Sequence, residues 1–501
     1  VFSTGEIKMT KKTSGTKWSN QQKKIFAEFE KGTSHFVVEA RAGTGKTTTV
    51  IEGVSLAPES RKLITTFNKK NAVDAQTKLQ TKGDKTTQAM TLNSLGFRYV
   101  RQNWRNARPD DSVEGDRIFS IVQNDERFAQ FESTPVATIR SIVAFAKNVK
   151  PFATLDDLVD IAEAKDFVPE NGFIEEGWTT VLCCKVALKD MELAKKPEAQ
   201  GRISFNDQLW LPVVQGWIRP WFDLVVVDEC QDMNVCQLIL ARGACTKVGR
   251  IMLVGDPRQA IYAFRGADIG GMARLTSELQ AKTYPLTTTY RCPKSVVKLA
   301  QTLVPDYRAA DSAPEGIVTS AATANAAKPG DAILSRSNAP LMKICLSFLK
   351  KGIRAYIEGR DIGATLLGIA NKLKATSTIE FGERLEEWRE KKARLAATKK
   401  NHEELLPIIH DQADTLSALA DEAETVNEIL TRLTSLFGET AQTEGNPAIV
   451  LSSVHKAKGR EWKKTFLLRE TFGRVTWTDE INEENNIGYV AVTRTMSELV
   501  W

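Results

Sequence analysis

The run Ala40-Arg41-Ala42-Gly43-Thr44-Gly45-Lys46-Thr47-Thr48 concentrates two glycines, an ammonium and several hydroxyls in one short stretch. That set can bind a nucleoside triphosphate. Gly43 and Gly45 let backbone N–H groups turn inward onto phosphate oxygens, and the positive end of a following helix adds to the attraction. Lys46 can reach the β and γ phosphates, and the Thr47 hydroxyl is placed to hold Mg²⁺. The general pattern opens with Gly, whereas Ala40 stands there. Hydrolysis needs a carboxylate for the metal and another for the attacking water. Asp228 and Glu229, after the apolar run Leu224–Val227, supply both: Asp228 for Mg²⁺, Glu229 to orient or deprotonate water. Gln259, in Gly255-Asp256-Pro257-Arg258-Gln259, can sense the γ-phosphate. Taken singly, each string also has an ordinary reading as a Gly-rich, acidic or Gly-Asp-Pro turn.

Those groups need strands that end where they begin. His35-Phe-Val-Val-Glu predicts a buried strand leading into the Gly-rich loop, and Thr47 to Ile51 opens a helix. Leu224–Val227 and Ile251–Val254 predict neighbouring parallel strands, buried on both faces. Asp228, Glu229 and Gln259 then emerge at their C-terminal ends, where open α/β sheets hold ligands. Beyond Gln259, Tyr262 and Phe264 alternate with small or apolar residues and end beside Arg265. On spacing alone they serve equally as core or as platforms for the bases of a single strand, at about 1–3 kcal/mol per base.

A chain of 501 residues is expected to hold several domains. Its hydrophobic content, 42%, is ordinary, and its net charge of +6 permits a polyanionic partner without requiring one. No apolar run reaches membrane-spanning length, and the start lacks a signal-peptide core, so no membrane association and a cytoplasmic location are expected. The seven scattered cysteines form no Cys-x-x-Cys pair, which argues against a zinc site or a disulfide framework. The residues through Lys17 form a polar, Lys-rich tail, with Met9 a candidate start.

In that order, these strings resemble the UvrD/Rep-like branch of superfamily 1A helicases, and the resemblance runs through most of the chain. Trp18-Ser-Asn-Gln-Gln22 resembles the Q motif, which implies that Gln22 reads the adenine edge. Thr65-Thr-Phe67-Asn68-Lys69 and Thr91-Leu-Asn93-Ser-Leu95 resemble motifs Ia and Ib, with Asn93 where His is usual. Ile203-Ser-Phe205-Asn-Asp207-Gln-Leu209 is similar to the Asp-Phe-x-Asp-Leu element. Asp228–Asp232 and Gly255–Ala267 match motifs II and III. In motif IV, Thr289-Tyr290-Arg291, the resemblance implies that Tyr290 stacks on adenine and Arg291 reaches the γ-phosphate. Ser453–Trp462 resembles motif V, which implies that Glu461 contacts the ribose and His455 the DNA. Tyr489–Arg494 resembles motif VI, which implies that Arg494 is a second arginine finger; the arginines usual before it are absent. Phe67, Asn68, Asn93, Tyr262, Phe264 and His455 are thereby the expected nucleic-acid contacts. Phe67 can also be core, Asn93 a turn residue and His455 a surface residue.

The resemblance implies an α/β fold of two RecA-like parallel-sheet P-loop motor domains, each with a mainly helical insertion. The expected division is 1–98 with 197–277 for the first motor domain and 99–196 for its insertion. Residues 278–363 with 446–501 form the second, and 364–445 a short insertion. Within the latter, Leu416, Leu419, Ala423, Val426, Leu430, Leu433 and Phe437 recur as one face of a long helix. No Gly-Ile-Gly element of the kind the family uses on duplex DNA is present. The implied activity is an ATP- and Mg²⁺-dependent DNA helicase or single-stranded DNA translocase, travelling 3′→5′ and acting on single strands and single-strand/duplex junctions. Three rivals stand beside it: a translocase that strips proteins without efficient unwinding, an RNA helicase, and a non-enzymatic ATP-binding subunit. Because the chain stops soon after motif VI, a fused nuclease is not expected.

Overall fold

The computed structural model describes residues 17–169, 171–262, 270–320, 323–397, 402–436 and 447–501. The Lys-rich tail before Lys17, Phe264 and Phe437 fall outside them. Two six-stranded sheets form the frame. The first holds β1 (Phe36–Ala40), β2 (Lys62–Thr66), β3 (Thr87–Thr91), β4 (Phe222–Val227), β5 (Cys245–Gly255) and β6 (Lys282–Leu286). They lie in the order β3-β2-β4-β5-β1-β6, every pairing parallel. The second holds β7 (Ile317–Thr319), β8 (Ala332–Ser335), β9 (Ala355–Ile357), β10 (Ile449–Ser453), β11 (Trp462–Leu467) and β12 (Thr495–Val500). Its order is β7-β12-β11-β8-β10-β9, again parallel throughout. Residues Leu224–Val227 are buried without a break, as a strand covered on both faces requires.

Strand β6 moves one expected border. The division at 277/278 gave Lys282–Leu286 to the second motor domain, yet these residues pair with β1 along their whole length. Only two of the five are apolar or aromatic enough to suggest a strand, and Pro285 argues against one. It is tolerated because β6 is an edge strand, where one missing donor costs nothing.

The first insertion is helical as expected, with helices at Val113–Gln123, Val136–Val149, Leu155–Lys165 and Thr180–Ala194. It is tied to the motor domain by buried charge. The Lys147 ammonium, with no side-chain exposure, lies 2.8 Å from Glu114 and 2.7 Å from Asp207. Arg117 bonds Asp190 at 2.7 Å and lies 3.8 Å from Asp207. Asp207 of the Asp-Phe-x-Asp-Leu-like element is therefore a structural anchor.

The second insertion differs from expectation. The predicted long helix is two, His402–Ala420 and Val426–Leu436, because Asp421–Glu424 interrupts the apolar face and the Thr425 hydroxyl accepts the Glu428 N–H to start a new helix. Nor does this region stand apart. Leu385, Leu416, Leu419, Ile429 and Leu433 share one core with Ile333, Leu451 and Phe466 of the second sheet. Among the described residues no helix is long and apolar enough to cross a membrane.

Candidate nucleotide site and nucleic-acid surface

The phosphate loop leaves the end of β1 at Ala40 and enters the helix Lys46–Leu56. Gly43 and Gly45 have φ of 69° and 80°, the left-handed conformation that turns the loop. Thr44 is buried, its hydroxyl donating to the Arg41 carbonyl at 2.8 Å, whereas Thr47 and Thr48 are exposed in the first helical turn. Lys46 Nζ lies 2.8 Å from both oxygens of Glu229. Burial opposes the Lys46 charge, but Glu229 and Asp228 outweigh it and hold its pKa up. Burial likewise opposes charge on Glu229, but Lys46 and Lys458 keep its carboxyl below the usual range. Asp228 goes the other way, pushed up by burial and then by the Glu229 charge. Glu229 itself has φ 53°, a conformation of non-glycine residues that stores strain at functional sites. Gln259 donates to Asp256 at 2.7 Å, and Asp256 N–H donates to Gln231, which in turn donates to Glu229.

The opposite wall is Thr289–Arg291 together with residues of the second sheet. Arg291 lies 2.5 Å from Glu461, and Tyr290, 53% exposed, donates its backbone N–H to the Gly43 carbonyl at 2.9 Å. A Cβ on Gly43 would stand 2.6 Å from Arg291 and Thr289, so only glycine permits this approach. Arg494 is fully buried and donates to the carbonyls of Val490 and Arg460 and to the Thr493 hydroxyl. Burial, then the neighbouring Arg291 charge, lowers its pKa to about 10. Next to the loop, the Ala42 N–H donates to the Tyr489 hydroxyl at 3.0 Å while the Ala42 carbonyl accepts from Tyr307 at 2.9 Å. Ala42 thus sits in the core of the second sheet.

These donors fit a magnesium nucleotide. Asp228 and Thr47 would supply the one or two protein oxygens that Mg²⁺ takes beside phosphate oxygens, and a divalent cation would relieve the crowded Asp228–Glu229 pair. Gln22 lies by this site but its amide is already engaged: Oε1 accepts from Ser19 N–H and Nε2 donates to Thr49, both at 3.0 Å, closing a capping box on the helix Asn20–Lys31.

Away from the phosphate loop, Phe67 and Tyr262 lie parallel with ring centroids 6.1 Å apart, and Phe67 is 40% exposed. The Tyr262 hydroxyl donates to the His455 carbonyl at 2.9 Å, and Lys458 Nζ stands 4.8 Å from the Tyr262 ring. Phe67 and Tyr262 from the first sheet therefore meet His455 from the second. Among the described residues no hydrogen bond joins the Asn68 or Asn93 side chain to this group. Asn68 caps the helix Lys69–Thr81 by accepting from Asn71 N–H at 2.8 Å, and Asn93 is half-buried in the first turn of the helix Leu92–Asn103. Three features escaped the sequence reading. The Lys458–Asp232 ion pair, at 2.7 Å, joins the two sheets, and the Asp232 carboxyl rises to about 6 through burial despite that partner. Arg41 turns to Asp256 and Asp306, and Tyr307 to Ala42. Lys458, Asp232 and Arg41 all lie inside the quoted motifs, whereas Tyr307 carries no local signal.

A nucleotide loop at the end of one parallel sheet, faced by arginines from a second, defines a two-domain P-loop protein. The UvrD/REP helicase N-terminal domain matches residues 18–280, and the UvrD-like helicase C-terminal domain matches residues 369–501. The chain belongs to the UvrD/Rep helicase family. F-box DNA helicase protein 1 of Schizosaccharomyces pombe is 22% identical across 97% of this chain and 57% of its own length. DNA helicase II of Escherichia coli is 33% identical over 19% of this chain and 14% of its own. The RecBCD enzyme subunit RecB of the same organism is 32% identical over 21% of this chain and 10% of its own. The chain thus spans little more than half of the first relative and a small part of the others.

Proposed function

We propose that the chain is an ATP-driven motor that moves 3′→5′ along single-stranded DNA and opens single-strand/duplex junctions. The observation that carries this reading is the meeting of two walls on one loop. Lys46, Asp228, Glu229 and Gln259 line one side and Arg291, Glu461 and Arg494 the other, with Gly43 in contact across the gap. Lys46 and the loop N–H groups hold the phosphates, and Asp228 and Thr47 would hold Mg²⁺, which would supply charge neutralisation there. Glu229 leaves Lys46 for the attacking water and accepts its proton, while Arg291 and Arg494 draw the second wall onto the γ-phosphate. Closure then depends on the terminal phosphate, and its loss lets the walls part. The Phe67–Tyr262 pair offers bases a sequence-blind stacking grip, and His455 carries the second wall to the same strand. The relatives' names, DNA helicase among them, support DNA over RNA; the polarity rests on family resemblance.

The test is ATP hydrolysis with single-stranded DNA, single-stranded RNA and duplex DNA compared. Strong stimulation by single-stranded DNA alone is expected; equal stimulation by RNA would move the substrate assignment, and none by any nucleic acid would end the motor reading. A second reading is a translocase that clears bound proteins with little unwinding. It is favoured by the second insertion, whose helices are built into the core of the second sheet. Faster displacement of a bound protein than of a paired strand would select it.

A further inference from the structure

We propose that Arg41 and Asp306 are positioning residues that report the placement of the second motor domain to Gln259; the inference rests on the ATPase reading above. The residues form an unbroken chain. Asp306 accepts from Arg41 Nε and Nη2, each at 3.0 Å, fork against fork. The remaining guanidinium edge, Nη1, donates to Asp256 Oδ1 at 3.0 Å. The other Asp256 oxygen accepts from Gln259 Nε2 at 2.7 Å, the side chain placed to meet the γ-phosphate. One rigid planar group therefore spans two carboxylates, a task lysine's single ammonium cannot perform.

The ends of this chain belong to different bodies. Asp306 follows the helix Lys294–Ala300, whose Val296 and Val297 pack with Leu334 and Leu499 of the second sheet. Asp256 and Gln259 follow β5 of the first. The Asp256 side chain is wholly buried and Arg41 is its counter-charge, so leaving it unpaired is costly. Asp306 is half exposed and adjoins Tyr307, which holds the Ala42 carbonyl. Consecutive residues 306 and 307 thus grip consecutive loop residues 41 and 42. A turn of the second domain tilts the guanidinium, and Asp256 must follow it to stay paired, taking Gln259 with it. In the state seen here that amide is held on Asp256 Oδ2, and a shift of the Arg41 fork on Oδ1 moves the carboxylate that holds it.

Asp306→Ala and Asp306→Glu test this, with Gln259→Ala and the double variant Asp306→Ala/Gln259→Ala as controls. Expected for Asp306→Ala is an about tenfold lower kcat with KM for ATP within about twofold, most of it restored by Asp306→Glu. On the Gln259→Ala background the same change should add nothing. Amide hydrogen exchange over residues 256–260 of the nucleotide-free protein should quicken in Asp306→Ala while the global melting temperature holds. Unchanged exchange there, a wild-type kcat, or an undiminished effect on the Gln259→Ala background would each overturn the relay. The exchange measurement needs no turnover, so a wild-type chain inactive toward ATP would sink the ATPase reading and still leave the relay to be judged.

Discussion

Glu229 carries two constraints at once: a left-handed backbone and a half-buried carboxylate held ionised by Lys46 and Lys458. On the proposed ATPase reading, both would keep an acceptor beside the attacking water. Glu229→Gln should therefore retain ATP binding and lose about 10²–10⁴ in turnover, the range for a positioned general base; titration of a fluorescent nucleotide beside steady-state hydrolysis separates the two. Arg291→Ala should cost about 10³ or more in kcat, as removal of an arginine finger does. Single-turnover kinetics would show it, and an unchanged rate would make Arg291 a partner of Glu461 only. At this scale much of the site was legible, because phosphate chemistry demands a lysine, two acids and glycines at short spacing. What spacing could not reveal is where a side chain turns when several partners compete. Arg41 finds two carboxylates, Gln22 closes a capping box, and Asn68 caps a helix.

The strands that position the site were legible from unbroken apolar runs ending in polar residues, and β1, β4 and β5 lie adjacent or one apart as that reading needs. Edge strand β6 was not legible, since its burial comes from pairing with β1 and its own residues are mixed. The predicted long helix failed for a related reason: periodicity ran on across an acidic interruption that starts a new helix. Close approach between elements is likewise invisible in a sequence. A Cβ on Gly96, in the helix Leu92–Asn103, would fall 2.1 Å from the Gln208 carbonyl oxygen of the helix Asp207–Val214. Backbone cannot swing aside, so Gly96→Ala should destabilise by about 1–3 kcal/mol; a urea midpoint equal to wild type would show that the helices can part. Lys147→Met should cost about 3–5 kcal/mol by stranding Glu114 and Asp207 in the interior, again read from denaturation.

For the whole molecule, the second insertion decides what can be removed. Because its helices complete the core over the second sheet, deleting residues 378–436 should leave that sheet's Ile333, Leu451 and Phe466 uncovered and the domain unfolded. Limited proteolysis would show it, and a soluble deletion variant that still hydrolysed ATP would contradict it. The other global feature is the peptide of Ala42, bonded through both its N–H and its carbonyl to phenols of the opposite body. While those two bonds last, the bodies cannot draw apart there; they can only swing. Ala42 is then a pivot and each body a lever arm. On the motor reading, a small change of angle at the phosphate loop would become a longer stroke at points farther out, with the Phe67–Tyr262 rings on one arm and His455 on the other.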